Sequence, residues 1–182
     1  MNSRIFIKGQ DVYLRHLQLT DIEGNYLHWF DNEIVCKYNE HHRYPYYSEQ
    51  LESYIKNLAG NHNNLVFAII TNEENEHVGN ISIQNICYIN RSAEIAIIVG
   101  ERKYWGKGHS SEAMQLIISH AFYTLNLHRL YCGTHSQNVG MIKLAHKLGF
   151  QQEGIRRKAI YKNGDYSDII EFGLLKDEYN GL

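Results

Sequence analysis

The sequence predicts one mixed α+β domain spanning residues 1–182, with a central, mostly antiparallel sheet and helices on both faces. Three observations lead there. A length of 182 residues suits a single core, since domains run to roughly 100–200 residues. Extended and helical patterns follow in the order β, α, α, β, β, β, loop, α, β, α, β, β, and the strands in the middle read as a meander. Met114, Ile117, Ile118, Ala121, Phe122 and Leu125 form the one-sided stripe of a helix packed on a sheet.

Residues 12–15 open the chain as a strand. Thr20-Asp21 offers a helix N-cap, with Glu23 close behind and Leu27 and Phe30 at helical spacing. A second helix starts at Ser48, where a cap and early carboxylates precede the stripe Leu51, Tyr54, Ile55 and Leu58. Residues 39–47, which hold the only proline, Pro45, read as the loop between these helices. The runs 65–70, 78–84 and 93–99 make up the meander, and Gly100 closes it. After the strong helix, residues 129–134 are a further strand, and Met141, Leu144, Ala145 and Leu148 repeat the helical stripe. Gly149 sits where a left-handed C-cap is expected, with Phe150 packing back. Runs 156–162 and 166–174 flank Asn163-Gly164, a favoured hairpin dipeptide.

Composition narrows the function. Lys plus Arg is 18 and Asp plus Glu is 20, a net charge of −2 that lacks the basic excess phosphate-backbone binding demands. Nucleic acid is therefore not an expected partner. Cys36, Cys87 and Cys132 lie far apart and are odd in number, so neither a disulfide framework nor a zinc ribbon is indicated, and a reducing compartment fits. No long apolar stretch reads as a leader or as the ~20-residue span a membrane requires. The expected location is the cytoplasm. The histidines carry no metal-ligand spacing: His41 and His42 are adjacent, and no H-E-x-x-H pattern occurs.

Chemistry concentrates in Trp105-Gly106-Lys107-Gly108-His109-Ser110-Ser111, a glycine loop between an apolar strand and the strongest helix. Glycines let backbone N–H groups approach an anion, and the helix start adds unpaired N–H groups and a favourable dipole. A pyrophosphate is the natural ligand. The spacing matches neither a Walker loop nor the G-x-G-x-x-G dinucleotide fingerprint, which leaves a nucleotide-dependent oxidoreductase as a distant third reading.

The chain resembles the Gcn5-related N-acetyltransferases (GNAT), in the subgroup similar to ribosomal-protein alanine acetyltransferases and their small-molecule relatives. The likeness rests on Leu14-Arg15, Thr20-Asp21, Trp29-Phe30-Asp31-Asn32-Glu33, Gly79-Asn80-Ile81, Glu94-Ile95-Ala96-Ile97, Tyr104 through Ala113, Asn138 and Lys147-Leu148-Gly149-Phe150. It implies a sheet splayed at the cofactor, with acetyl-CoA as co-substrate and no metal. Lys107, Gly108, His109, Ser110 and Ser111 would hold the pyrophosphate, backbone groups near Ile97, Ile98 and Val99 the pantetheine amides, and Asn138 the pantetheine arm. Trp105 and Ser110 depart from the common pattern without removing an N–H. A homodimer is the family habit.

An amine with a pKa near ~10 must lose a proton before attacking a thioester. The resemblance gives that role to Glu94, through water, and a backbone N–H near Ile98 is the simplest oxyanion donor. The positions where relatives carry a proton donor for the thiolate hold Met141 and Ala145, neither of which can donate; Ser136, Tyr104 or water would have to stand in. Trp29, Asp31, Glu33, His41, His42, Tyr44 and Tyr47 are the acceptor-pocket candidates implied by the likeness: carboxylates to hold an amine, rings to stack on a sugar or base. The expected activity is direct acetyl transfer in a ternary complex to a small amine, such as an amino sugar or polyamine. A protein N-terminus and a non-catalytic acyl-CoA-binding module are the alternatives.

Overall fold

The structure, a computed structural model, describes residues 4–181. β1 (Ile7–Lys8), β2 (Val12–His16), β3 (Leu65–Thr71), β4 (His77–Cys87) and β5 (Ser92–Val99) pair antiparallel in chain order. β6 (Arg129–His135) joins β5 in parallel, and β8 (Asp165–Leu175) lies between β6 and the edge strand β7 (Gln151–Lys162). The sheet is mostly antiparallel, as expected from the sequence, with one parallel junction.

Strand alternation divides the apolar residues between two cores. Phe67 and Ile69 of β3 face α3 (His109–Ser119) and α4 (Val139–Lys147), while Ala68 and Ile70 face α1 (Tyr26–Phe30) and α2 (Ser48–Leu58). Met114, Ile117, Ile118, Ala121 and Phe122 are fully buried, and a π-type turn, His120–Thr124, carries their stripe past the end of α3. Gly149 adopts φ +87°, the left-handed cap its position demands.

The N-terminal region departs from expectation. β1 is too short to show any alternation. Thr20-Asp21 caps no α-helix, because Leu19–Glu23 is a 3₁₀ turn and the Asp21 carboxylate is turned inward. There it takes both forks of the Arg15 guanidinium, at 2.8 and 2.6 Å, and the Gln18 N–H at 2.8 Å. Burial raises the Asp21 pKa, but these hydrogen bonds outweigh it and hold the carboxyl below its usual value.

His77 lies against this pair, its Nδ1 3.7 Å from Asp21, and burial depresses its pKa below 6.5 despite the carboxylate. Burial shifts His41, His120 and His135 the same way. A histidine whose folded pKa is depressed contributes stability that is complete above its unfolded value and is lost as pH falls. Thermal melts should therefore show a level Tm between about pH 7 and 8 and a decline from pH 6.5 toward roughly pH 5, before the carboxylates titrate. A flat profile across that window would remove the histidines from the stability balance.

Candidate active site

β5 ends at Val99, and the loop from Gly100 onward turns through Gly106 and Gly108 at φ +74° and +94°. Side chains are strained at those angles, and the space beside both glycines is open. No side chain caps the start of α3, so the N–H groups of His109, Ser110 and Ser111 stand at the positive end of an uncapped helix. Ser111 Oγ and His109 Nδ1 are buried there without hydrogen-bond partners. Buried polar atoms are rarely left so, and a phosphate oxygen would complete them. The loop therefore fits the pyrophosphate the sequence led us to expect. Glu112 faces away, its carboxylate accepting the N–H groups of Gln10, Asp11 and Val12 and tying the β1–β2 turn to the helix start.

Beside the loop the sheet opens. β5 and β6 pair only from Ser92 to Glu94 against Arg129 to Tyr131, and the rest of β5 has its outer edge free of β6. Alternation decides which groups face the opening. The Ile98 carbonyl points at β4, where a Cβ on Gly79 would lie 2.3 Å from it, whereas the Val99 carbonyl faces outward and accepts the Trp105 indole N–H at 2.8 Å. The backbone of Ile97 thus faces outward with that of Val99. This corrects the expectation for Ile98, whose N–H and carbonyl belong to the β4 ladder and serve neither pantetheine nor an oxyanion. Asn138, across the opening, is the N-cap of α4: its Oδ1 accepts the Met141 N–H at 3.2 Å and its Nδ2 donates to Thr134 Oγ1 at 3.1 Å.

On the other face of β5 lies a cavity of about 410 Å³. Its floor is Asn80, Ser82 and Gln84 of β4 with Ala96 and Ile98 of β5, and its walls come from Tyr26, Phe30, His41, Tyr46, Gln50 and Tyr54. Tyr46 stacks on Phe30 with centroids 4.6 Å apart, and its hydroxyl lies 2.7 Å from His41 Nδ1. Of the acceptor residues named from sequence, His41 alone lines this cavity. Trp29 is buried behind it, donating its indole N–H to Glu101 at 2.8 Å. Asp31, Glu33, His42, Tyr44 and Tyr47 are exposed and lie outside the lining. They sit beyond the end of α1, and the chain turns away there; His42, at φ +61°, directs its Nδ1 to the Phe30 carbonyl at 3.0 Å.

Glu94 shares the cavity face of β5 with Ala96 and Ile98, in register with Gln84 on one side and Tyr131 on the other. Its Oε2 accepts the Asn85 side-chain N–H at 2.9 Å. Burial first, and then Glu94, push the Cys132 thiol up to about 12, which leaves it protonated and unfit as an acyl carrier. Tyr104, the stand-in donor considered from sequence, turns its single hydroxyl to the carboxylates of Glu76, at 2.8 Å, and Glu74. Ala145 is fully buried in the core and Met141 packs against it.

Sequence reasoning missed Lys162. Reaching from β7, its ammonium donates to the carbonyls of Cys36, Asn39 and His41 at 2.5, 2.5 and 2.9 Å, while Arg43 donates back to the Tyr161 carbonyl at 2.8 Å. The loop that supplies His41 and Tyr46 is thereby strapped to the C-terminal hairpin. Lys162→Met should raise the acceptor KM several-fold and leave acetyl-CoA affinity unchanged; equal KM values would deny the strap a role in the pocket.

An uncapped helix start behind a glycine turn, an opened central strand and a half-open pocket on the opposite face of that strand are the layout of an acyl-CoA-dependent transferase. Residues 11–151 match the acetyltransferase (GNAT) domain family, and the chain belongs to that family. It is an acetyl-CoA-dependent N-acetyltransferase. It is 34% identical over 92% of its length to an uncharacterized N-acetyltransferase, p20, of Bacillus licheniformis, spanning 94% of that protein. It is 29% identical to the spermidine N(1)-acetyltransferase of Escherichia coli (strain K12), over 94% of this chain and 89% of that one. The crystal structure of the Vibrio cholerae spermidine N-acetyltransferase in complex with CoA and spermine superposes with a TM-score of 0.84 at 25% identity, covering 93% of this chain and 98% of the other.

Proposed function

We propose that the chain, acting as one domain over residues 1–182, transfers the acetyl group of acetyl-CoA directly to a primary amine of a small molecule held in the α1–α2 cavity. One observation carries this reading: β5 gives side chains to the cavity floor and an unpaired backbone edge to the opening. Amine and thioester can thus meet at a single strand. The relatives that act on spermidine, and the neighbour described with CoA and spermine, support a small amine over a protein N-terminus or a mere binding module.

In this reading Lys107, Gly108, His109, Ser110 and Ser111 present N–H groups to the pyrophosphate, with Ser111 Oγ as an added donor. Acetyl-CoA supplies an activated acyl group. The Ile97 and Val99 edge pairs with the pantetheine amides, and Asn138 shapes the far wall through its cap. Glu94 removes the amine proton, directly or through water. The outward Ile97 N–H, in place of Ile98, would supply the donor for charge developing on the thioester oxygen. A thiol of pKa near ~8.5 departs without a side-chain acid, in keeping with Met141 and Ala145. A cytoplasmic homodimer, in contact with neither membrane nor nucleic acid, is the proposed setting, and the net charge of −2 is in keeping with the latter.

Free-thiol release from acetyl-CoA, measured over varied concentrations of both substrates, tests the mechanism. Acceptor-dependent release with intersecting velocity lines is expected of direct transfer, whereas parallel lines would mean a covalent acyl-enzyme.

A further inference from the structure

We infer that the acceptor is a polyhydroxylated amine of the amino-sugar class, with one amino group on an otherwise uncharged frame, and not a polyamine. This rests on the transferase reading above and names its substrate class. Among the described residues, the cavity lining contains no Asp, Glu, Lys or Arg. A polyamine placed there would bring a second ammonium into a site with no carboxylate to meet it, and an unpaired charge away from water is expensive. Glu94, at the end of the floor, is one carboxylate for one reacting amine.

What the cavity offers is hydrogen bonding at regular intervals. Asn80, Ser82 and Gln84 occupy every second position of β4, and each side chain can both donate and accept. Polar alternation on a strand normally faces water, but β4 has β3 and β5 on either side and α1 and α2 above this face. The amide of Asn80 is fixed in advance: its Oδ1 lies 2.8 Å from His77 Nε2, and His77 is wedged between Asp21 at 3.7 Å and the rings of Tyr26 and Trp29. Tyr46, stacked on the buried ring of Phe30, supplies an aromatic wall to the same cavity. Hydroxyls read by a polar floor and C–H faces laid on aromatic walls are the two needs of a sugar ring. Behind the His41 side of this wall the Lys162 ammonium sits on the His41 carbonyl and would repel a second amine there, while the Asp21 carboxylate behind His77 is already taken up by both forks of Arg15.

The test compares kcat/KM for glucosamine, galactosamine, spermidine and spermine by thiol release, in the wild-type protein and in Gln50→Glu. Gln50 lines the cavity from the first turn of α2, where its side chain accepts the Tyr47 N–H at 3.2 Å, so glutamate there keeps the cap and suits the helix dipole. The wild type should favour an amino sugar over both polyamines by at least about tenfold, the worth of one unmet polar contact, and Gln50→Glu should narrow that ratio several-fold by raising polyamine use. A wild-type preference for spermidine or spermine, or a ratio that Gln50→Glu leaves unchanged, overturns the assignment of class while the transferase reading stands. Release with no amine at all overturns both.

Discussion

Glu94→Gln should lower kcat by roughly 10²-fold, the usual worth of a general base, while acetyl-CoA binds as before. The amide keeps the shape of the carboxylate and its contact with Asn85, which now stands 2.9 Å from Glu94 Oε2, so the fold has little reason to change. The Glu94 side chain lies on the cavity side of the sheet, in register with Gln84, and not on the outward backbone edge of Ile97 and Val99, so acceptor and acetyl-CoA should report separately. Unchanged turnover, or a loss confined to acetyl-CoA affinity, would remove Glu94 from proton transfer.

Gly100→Ala should be the most damaging single methyl in the chain. A Cβ there would lie 1.9 Å from a ring carbon of Trp29, far inside van der Waals contact. Trp29 cannot withdraw, since it is 3% exposed and its N–H is engaged by Glu101. Overpacking of this kind costs about 3 kcal/mol, and for a chain of this size that lowers Tm by roughly 10 °C. Because α1 carries Tyr26 and Phe30 into the cavity, the acceptor KM should rise as well. Pairing Gly100→Ala with Trp29→Leu should return part of the lost Tm; no recovery would place the strain elsewhere.

Local periodicity carried most of the fold. The stripe from Met114 to Leu125 lies against the sheet as its spacing required, and Asn163-Gly164 turns the β7–β8 hairpin, with φ +53° and +87°. The turn into α3 was equally legible, because Gly106 and Gly108 take the positive φ angles that glycines before a helix suggest. Ile98 was misjudged by one residue, since sequence gives the strand but not which of its alternate amides faces the next strand. The acceptor pocket was mostly hidden. Asn80, Ser82 and Gln84 have the alternation of a solvated strand face, and only the sheet order shows that this face is covered. Trp29 and Asp21 looked like pocket and cap, yet both are buried through partners, Glu101 and Arg15, that are not their sequence neighbours. Lys162 met the carbonyls of residues more than a hundred positions away, a distance at which no local pattern speaks.

The open edge of β5 has a further meaning for self-association. Unpaired strand edges invite other chains to add themselves, and proteins usually bury, bend or charge them. Here the edge at Ile97 and Val99 is interior to the sheet, inside a wedge whose other side is β6 and whose narrow end is closed by the pairing at Glu94 and Tyr131. A folded neighbour cannot bring a strand into such a wedge. A thin, unbranched chain with amides at strand-like spacing can, and it would be read as the missing strand of the sheet. In the proposed reading, the same gap that would be an aggregation hazard on an outer strand serves as a slot for a thin chain that resembles a peptide backbone.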